Sequence, residues 1–314
     1  MKILITGGAG FIGSHVSDAC ISAGHEVVVV DDLSTGKRSN VNQAAAFYQV
    51  DILDPGLADV FAAERPCAVS HQAARVSVQE SLRDPIGYAQ VNVVGSVNVL
   101  EQCRRFGVRK IVYASTAGAG YGEPQWLPVT ENHPMNALDP YGASKHHVEH
   151  YLAVYKHNFS IDYTVLRYPN VYGPRQDPHG EAGVIAIFAQ QLLSGEQPTI
   201  TGDGEQTRDF LHVSDVVSAN LLALEASGGG TYNVGTGKGT TINEVFRGLA
   251  AETQCQMPEI HGPVRPGEVR NIYFDAGLIE RELGWKPSVT LDEGLRDTVD
   301  YFRRGSGEAS GGEQ

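Results

Sequence analysis

Long apolar runs, metal-spaced cysteines and an excess of basic residues are all missing from this chain. No stretch approaches the ~20 apolar residues a membrane-spanning helix needs. Met1-Lys2 leads straight into the strand-like Ile3-Leu4-Ile5-Thr6 without an apolar leader, so a cytoplasmic protein is expected. Its four cysteines, Cys20, Cys67, Cys103 and Cys255, are scattered, which points to free thiols of a reducing compartment and to no bound metal. Lys and Arg number 24 against 37 Asp and Glu, a net charge of −13. Nucleic acids and anionic membranes are held through basic patches, so neither is an expected partner. A small molecule remains. With 314 residues, 41% of them hydrophobic, the chain can bury a substantial core in one large domain or two lobes.

Short β-branched runs near 2–6, 26–30, 46–50, 67–71, 109–114 and 161–167 alternate with longer amphipathic segments. Such alternation predicts an α/β fold, a Rossmann-type doubly wound parallel sheet covered on both faces. Near-continuous apolar strands such as Val27-Val28-Val29-Val30 and Lys110-Ile111-Val112-Tyr113-Ala114 suit burial on both sides. From about Tyr168 the rhythm weakens, and Pro169, Gly173-Pro174, Pro178, Gly180 and Gly202-Asp203-Gly204 suggest a smaller, loop-rich lobe. Thr231-Tyr232-Asn233-Val234 has the character of a strand returning to the first sheet, which would interleave the lobes. The expected division is 1–168 plus about 209–239 for a nucleotide-binding domain, and about 169–208 plus 240–302 for a substrate lobe. Residues 303–314, polar and glycine-rich, are expected to be a disordered tail.

Thr6-Gly7-Gly8-Ala9-Gly10-Phe11-Ile12-Gly13 follows the first strand and opens a helix. Gly7, Gly10 and Gly13 permit a tight turn, close approach of backbone to a pyrophosphate, and tight helix packing, while the helix N-terminus attracts phosphate. Asp31, 18 residues after Gly13 and ending the second strand, is placed to accept ribose hydroxyls and to repel a 2′-phosphate, favouring NAD over NADP. Lys37 and Arg38 beyond it read as solvated loop cations. Asp51-Ile52 follows the third strand, where it meets adenine or else Asp51 caps a helix.

Tyr141 and Lys145 stand four apart in Asp139-Pro140-Tyr141-Gly142-Ala143-Ser144-Lys145, one helical turn from each other. A phenol with a pKa near ~10 becomes a base at neutral pH only beside a positive charge, which Lys145 can supply. The fifth strand ends in Ser115-Thr116, at the carboxyl edge of the sheet where ligands bind in such folds. Glycine loop, Ser/Thr after this strand and Tyr-x-x-x-Lys helix, in this order, resemble the extended short-chain dehydrogenase/reductase family over nearly the whole chain. The resemblance implies that Tyr141 is the general base, that Lys145 lowers its pKa and holds the nicotinamide ribose, and that Thr116 bonds the reacting hydroxyl. It also implies a cofactor lining that includes Phe11, Ile12, Gln72, Ala73, Ala74, Asn92, Ser115 and Tyr168. For His71, packing is a better explanation than chemistry.

Within that family the chain looks most like the nucleotide-sugar epimerases. Leu166-Arg167-Tyr168-Pro169-Asn170-Val171-Tyr172-Gly173-Pro174 resembles their entry into the substrate lobe, which places Asn170 against UDP. Arg208, and Arg265 in Arg265-Pro266-Gly267-Glu268, match the pair that clamps the pyrophosphate, with Glu268 beside them. Ala117-Gly118-Ala119 stands where the related dehydratases carry Asp-Glu. Elimination loses its acid/base pair there, and the implied reaction is inversion at C4 of a UDP-hexose, UDP-glucose or UDP-galactose, through a 4-keto sugar. The same run replaces a bulky aliphatic, so Ser115 competes with Thr116 for the sugar; Thr116 is preferred. Val76 replaces a common lysine, leaving Arg75 or amides near Ser77 to meet phosphate. Ile272 aligns with the position limiting the C2 substituent, or else is a core strand residue. N-acetylhexosamine or glucuronate substrates, another oxidoreductase or dehydratase activity, and a non-catalytic NAD sensor are the alternatives. Segments Ile86 to Phe106 and Tyr141 to His157 are apolar on more than one face, and a homodimer through them is expected.

Overall fold

The computed structural model describes residues 1–179, 183–264 and 269–310, the last six as backbone only. Seven strands form the central sheet in the order Thr231–Asn233, Asp162–Tyr168, Lys110–Thr116, Ala68–His71, Lys2–Thr6, Glu26–Asp31, Ala46–Gln49. Every pairing in it is parallel. Alternate residues point to opposite faces. Ile3, Ile5, Val27 and Val29 pack on the side of helices Phe11–Ser22 and Val213–Glu225, whereas Leu4, Val28 and Val30 pack on the side of Leu57–Glu64, Ser96–Phe106 and Pro140–Phe159. Both faces are therefore dry, as the β-branched runs require.

From Lys2–Thr6 the chain builds outward through Glu26–Asp31 to Ala46–Gln49, then crosses back to Ala68–His71 and builds the other way. The loops after Lys2–Thr6 and Ala68–His71 leave their strands side by side and open a crevice at the carboxyl edge. A separate core holds Tyr172, Phe210 and the inner faces of helices Val184–Leu193, Ile242–Thr253 and Leu291–Ser310. Short strand pairs attach it: Asn170–Tyr172 with Phe210–His212, Thr207–Arg208 with Thr240–Thr241, and Ile200–Thr201 with His261–Gly262. No helix among the described residues is long and apolar enough to cross a membrane.

The six expected strands form, and Thr231–Asn233 returns to pair with Val165, Leu166 and Arg167. Two local expectations change. The run from Ile86 is not one helix: Pro85–Tyr88 passes through a π-helical turn, Ala89–Gly95, before Ser96–Phe106. That wide turn carries Asn92 inward, where it is 1% exposed. The tail expected to be disordered from 303 continues as helix to Ser310, because Phe302 is buried and Arg303 and Arg304 find partners. Arg303 donates to Asp300 and to the Glu252 carbonyl, and Arg304 to the Asp300 carbonyl. Residues 311–314 lie outside the described residues.

Asp209 fastens the loop after the return strand to the rest. It is 0% exposed and accepts from Thr236 N and Oγ1, Gly237 N and Phe274 N. Asp209→Ala strands these buried donors, and a loss of about 3 kcal/mol or more is expected in urea unfolding; a loss below ~1 kcal/mol would refute this role.

Candidate active site

The glycine loop is a cradle that side chains would fill. Gly7 has φ +68°, and a Cβ on it would come within 2.7 Å of Ala73 N on the neighbouring loop. A Cβ on Gly13 would collide with the Gly7 carbonyl, so the helix starts directly against the loop. Helix Phe11–Ser22 begins at Gly10 with neither a side-chain cap nor an acidic residue in its first turn, which leaves its N-terminus to an anion. Asp31 is held at the strand end by Ala9 N to Oδ2 and Leu33 N to Oδ1, both 2.9 Å. Burial pushes its carboxyl up and the two amide bonds pull it down, for a net rise. Two of a carboxylate's roughly four acceptor sites are used, which leaves room for ribose hydroxyls. These features fit a dinucleotide.

The neighbours of the cradle vary in what they offer. Phe11 and Ile12 are half-buried in the first turn of the helix. Asp51 accepts from Leu53 N at 2.8 Å in a local turn, and Ile52 is buried against Gly95. Lys37 reaches Asp177 at 4.0 Å, and Arg38 lies 4.4 Å over the Phe47 ring. Gln72 donates to Ser70 Oγ and Asn220 Oδ1, and Asn220 in turn donates to the Tyr168 hydroxyl. Ala73 N reaches Thr6 Oγ1 at 3.3 Å, and Ala74 is half-buried beside it. His71 is locked between Thr6 Oγ1 at 2.6 Å and Ser96 Oγ at 2.8 Å, and burial, then the Lys145 charge, takes its pKa down to about 3. It is a neutral packing residue.

Asp139 starts the next essential helix, Pro140–Phe159, by accepting from Gly142 N at 2.7 Å, with Pro140 in the first turn. A Cβ on Gly142 would strike the Ala119 carbonyl, so the helix N-terminus seats directly on the loop after Thr116. This brings the Tyr141 phenol into hydrogen-bonding reach of the Thr116 side chain. Ser144 Oγ donates to the Tyr141 carbonyl and accepts from Asn92 Nδ2, while Asn92 Oδ1 accepts from Arg75 N. Asn92 thereby ties the helix to the loop that follows Ala68–His71.

Lys145 is 3% exposed, with Nζ 4.5 Å from the Tyr113 ring centre. Burial dominates both reactive groups. It drives Lys145 down to about 7 against the upward pull of Glu149, and it drives Tyr141 up to about 12 despite the Thr116 contact. The expected depression of the Tyr141 pKa by Lys145 is not seen: burial decides it, and Thr116 is the contact that opposes burial. An ammonium so desolvated is only partly charged at neutral pH.

Ser115 and Thr116 part company at the strand end. Ser115 Oγ donates to Glu149 Oε1 at 2.6 Å, inside the wall, whereas Thr116 meets Tyr141. Glu149 also receives Arg167 Nη2 at 2.6 Å and Nε at 3.1 Å, and Arg167 Nη1 donates to the Tyr121 hydroxyl at 2.7 Å. Tyr121 donates in turn to Asn233 Oδ1. Sequence reasoning missed this chain of buried polar groups. Its signal was Arg167 inside the otherwise apolar Val165-Leu166-Arg167-Tyr168, with Glu149 one turn after Lys145.

The expected substrate residues are less closely gathered. Asn170 is exposed beyond Tyr168, and Arg208 Nη1 donates to the carbonyls of Thr207 and Arg270. Ser77 is spent capping a short helix by accepting from Glu80 N, and Arg75 is drawn to Asp84 at 2.6 Å and over the Tyr88 ring. Ile272 is 2% exposed and packs with Ala117, Tyr121, Val129 and Phe274, so it is a core residue behind Thr116 and does not face the crevice as a gate. Arg265 and Glu268 lie outside the described residues.

Known proteins share this fold. Residues 3–235 match the model of the NAD dependent epimerase/dehydratase family. The UDP-glucose 4-epimerase of Mycolicibacterium smegmatis is 43% identical over 98% of this chain and 100% of its own. Among solved structures, UDP-glucose 4-epimerase of Thermotoga maritima with UDP-glucose is similar at TM-score 0.95 and 46% identity, over 98% of this chain and 100% of that one. That of Thermus thermophilus in complex with NAD reaches TM-score 0.91 at 45% identity, over 96% and 99%. With its glycine cradle, its Thr116, Tyr141 and Lys145 set and these full-length likenesses, the chain belongs to the NAD dependent epimerase/dehydratase family.

Proposed function

We propose that this protein is an NAD-dependent epimerase that inverts C4 of a UDP-hexose, interconverting UDP-glucose and UDP-galactose through a transient 4-keto sugar. The observation that carries the reading is Tyr141 against Thr116, with Lys145 one turn away and no carboxylate in Ala117-Gly118-Ala119. NAD, when bound, supplies the acceptor that takes the C4 hydride and returns it to the other face. Gly7, Gly10 and Gly13 with the helix N-terminus hold its pyrophosphate, and Asp31 its adenosine ribose. Lys145 holds the nicotinamide ribose and stabilises the Tyr141 phenolate, helped by any positive charge brought beside the phenol. Tyr141 takes the proton of the sugar 4-hydroxyl and later gives it back, while Thr116 keeps that oxygen in line. Arg208 with Arg265 grips the pyrophosphate and Asn170 the UDP, so the sugar is free to turn over between the two transfers. A dehydratase would need an acid and a base beside Thr116, which the small residues do not provide.

The two cores support a division into a dinucleotide domain, 1–168 plus about 209–239, and a nucleotide-sugar lobe, about 169–208 plus 240–302. Working in the cytoplasm suits such a substrate. Ile86, Val94, Tyr151 and Val154 are 72%, 56%, 40% and 50% exposed on the helical runs expected to pair, which favours a homodimer.

Purified protein given UDP-galactose without added cofactor is expected to equilibrate it with UDP-glucose, and Tyr141→Phe to lower kcat by about 10²–10⁴-fold. Stoichiometric NADH release instead would support an oxidoreductase. Gly13→Ala should strip NAD retained through gel filtration, because its methyl group collides with the Gly7 carbonyl. Light scattering should find a particle twice the 33.8 kDa of one chain, and a monomer at all concentrations contradicts the dimer.

A further inference from the structure

Glu149 touches neither of the groups that meet the sugar in the reading above, yet it is among the most firmly held side chains in the molecule. It stands one turn beyond Lys145 on the same helix face and is 8% exposed. Arg167 grips it through two nitrogens, Ser115 donates to it, and His146 Nδ1 lies 3.4 Å from Oε2. Arg167 turns its remaining nitrogen to the Tyr121 hydroxyl, with its guanidinium 5.1 Å over that ring. Of the two charges in the pair, the one that acts on Lys145 is the carboxylate. The ion pair is therefore an oriented dipole with its negative end toward the lysine.

We propose that Glu149, anchored by Arg167 and Ser115, is a positioning residue that raises the charged fraction of Lys145 against its burial, so that Tyr141 has an ammonium one turn away when it acts as the base. The inference rests on the reading of Tyr141 as base. Two such buried groups choose between a neutral phenol with a neutral amine and a phenolate with an ammonium. Burial favours the neutral pair; a fixed carboxylate beside the lysine favours the ionic one.

The other groups facing this pair or Glu149 are Tyr113 from strand Lys110–Thr116, His71 from Ala68–His71, Tyr88 from Pro85–Tyr88, Asp139 at the start of the helix, Arg167 from Asp162–Tyr168, Tyr121 from the loop after Thr116, and His146. Burial holds Tyr113 well above its ordinary value, His71 down to about 3 and Tyr121 up to about 12, so these stay neutral in the working range. Burial alone would raise Glu149, but the nearby His146, the bonds and charge of Arg167 and the bond from Ser115 outweigh it and bring it to about 2. The carboxylate is thus charged throughout. His146, with Nδ1 3.4 Å from Glu149 Oε2, is removed in a control variant.

Glu149→Gln removes the charge but leaves Arg167 unpaired; Glu149→Gln with Arg167→Gln removes both charges and keeps hydrogen-bonding groups, so it tests the idea if the single variant does not fold. Each is compared with the parent and with His146→Gln by the pH profile of kcat and by ultraviolet difference titration of the Tyr141 phenolate, with Tyr141→Phe as the blank. In the charge-free variants the basic limb should move to lower pH by about one unit, and the phenolate should appear about one unit higher. At pH 7, kcat should fall about tenfold with KM changed less than about twofold. His146→Gln should leave both titrations in place. A folded variant whose limb and phenolate titration coincide with the parent's overturns the proposal. Absence of turnover in the parent sinks the epimerase reading instead, and the phenolate titration then decides the role of Glu149 by itself.

Discussion

The buried pairing of Glu149 with Arg167 is the contact on which the wall of the crevice depends. It joins helix Pro140–Phe159 to strand Asp162–Tyr168, captures the end of Lys110–Thr116 through Ser115, and reaches the edge strand through Tyr121 and Asn233. Taking two ions out of water is costly, and an apolar pair of similar volume commonly serves stability as well. Breaking one side of such a pair typically costs ~3–5 kcal/mol, because the other charge is left alone. The expense makes sense if the pair fixes positions: Ser115 is held to one face, and Thr116 is left at the crevice.

Desolvation is the second constraint, and it acts against the chemistry unless it is opposed. Tyr141 at about 12 and Lys145 at about 7 are both pushed toward their neutral forms by burial. An exposed tyrosine and lysine at the same spacing would carry an ammonium at neutral pH, but water would screen its effect on the phenol. Burial strengthens each charge that is present while making each harder to keep. The site is therefore sensitive to a small number of fixed charges, of which Glu149 acts on Lys145 and Asp139 on Tyr141.

What the sequence disclosed follows the range of the interactions involved. Strands and glycine loop are local patterns, and they stand where the pattern put them. Asp31 was legible because its distance from Gly13 is set by one βαβ unit. The choice between Ser115 and Thr116 depends on the pleat: adjacent residues face opposite ways, and only the packed helix shows which way holds a carboxylate. Arg167 and Glu149 are 18 residues apart with no periodic relation, and Asn92 needed a π-helical turn to face inward. Ile272 illustrates the opposite failure. Its position along the chain suggested a sugar contact, yet its side chain belongs to the cluster behind Ala117. Helix Leu291–Ser310 extends past the point where composition suggested disorder, since Phe302 supplied an anchor that a count of polar residues does not weigh.

The run Ala117-Gly118-Ala119-Gly120, which departs from the bulkier pattern of related chains, has a packing explanation that bears directly on the reaction. A Cβ on Gly120 would come within 2.6 Å of Met135 Cε and 2.7 Å of the Thr116 carbonyl, and one on Gly142 would strike the Ala119 carbonyl. Small residues are what allow the N-terminus of helix Pro140–Phe159 to settle on this loop, and that contact is what sets Tyr141 beside Thr116. A Cβ on Gly118 would meet nothing within 4 Å, so the run lacks the carboxylates rather than the room for one. The same shortening of side chains thus brings the base to its hydroxyl partner and removes the groups that elimination requires. Proton transfer at one carbinol is left as the chemistry the wall can perform.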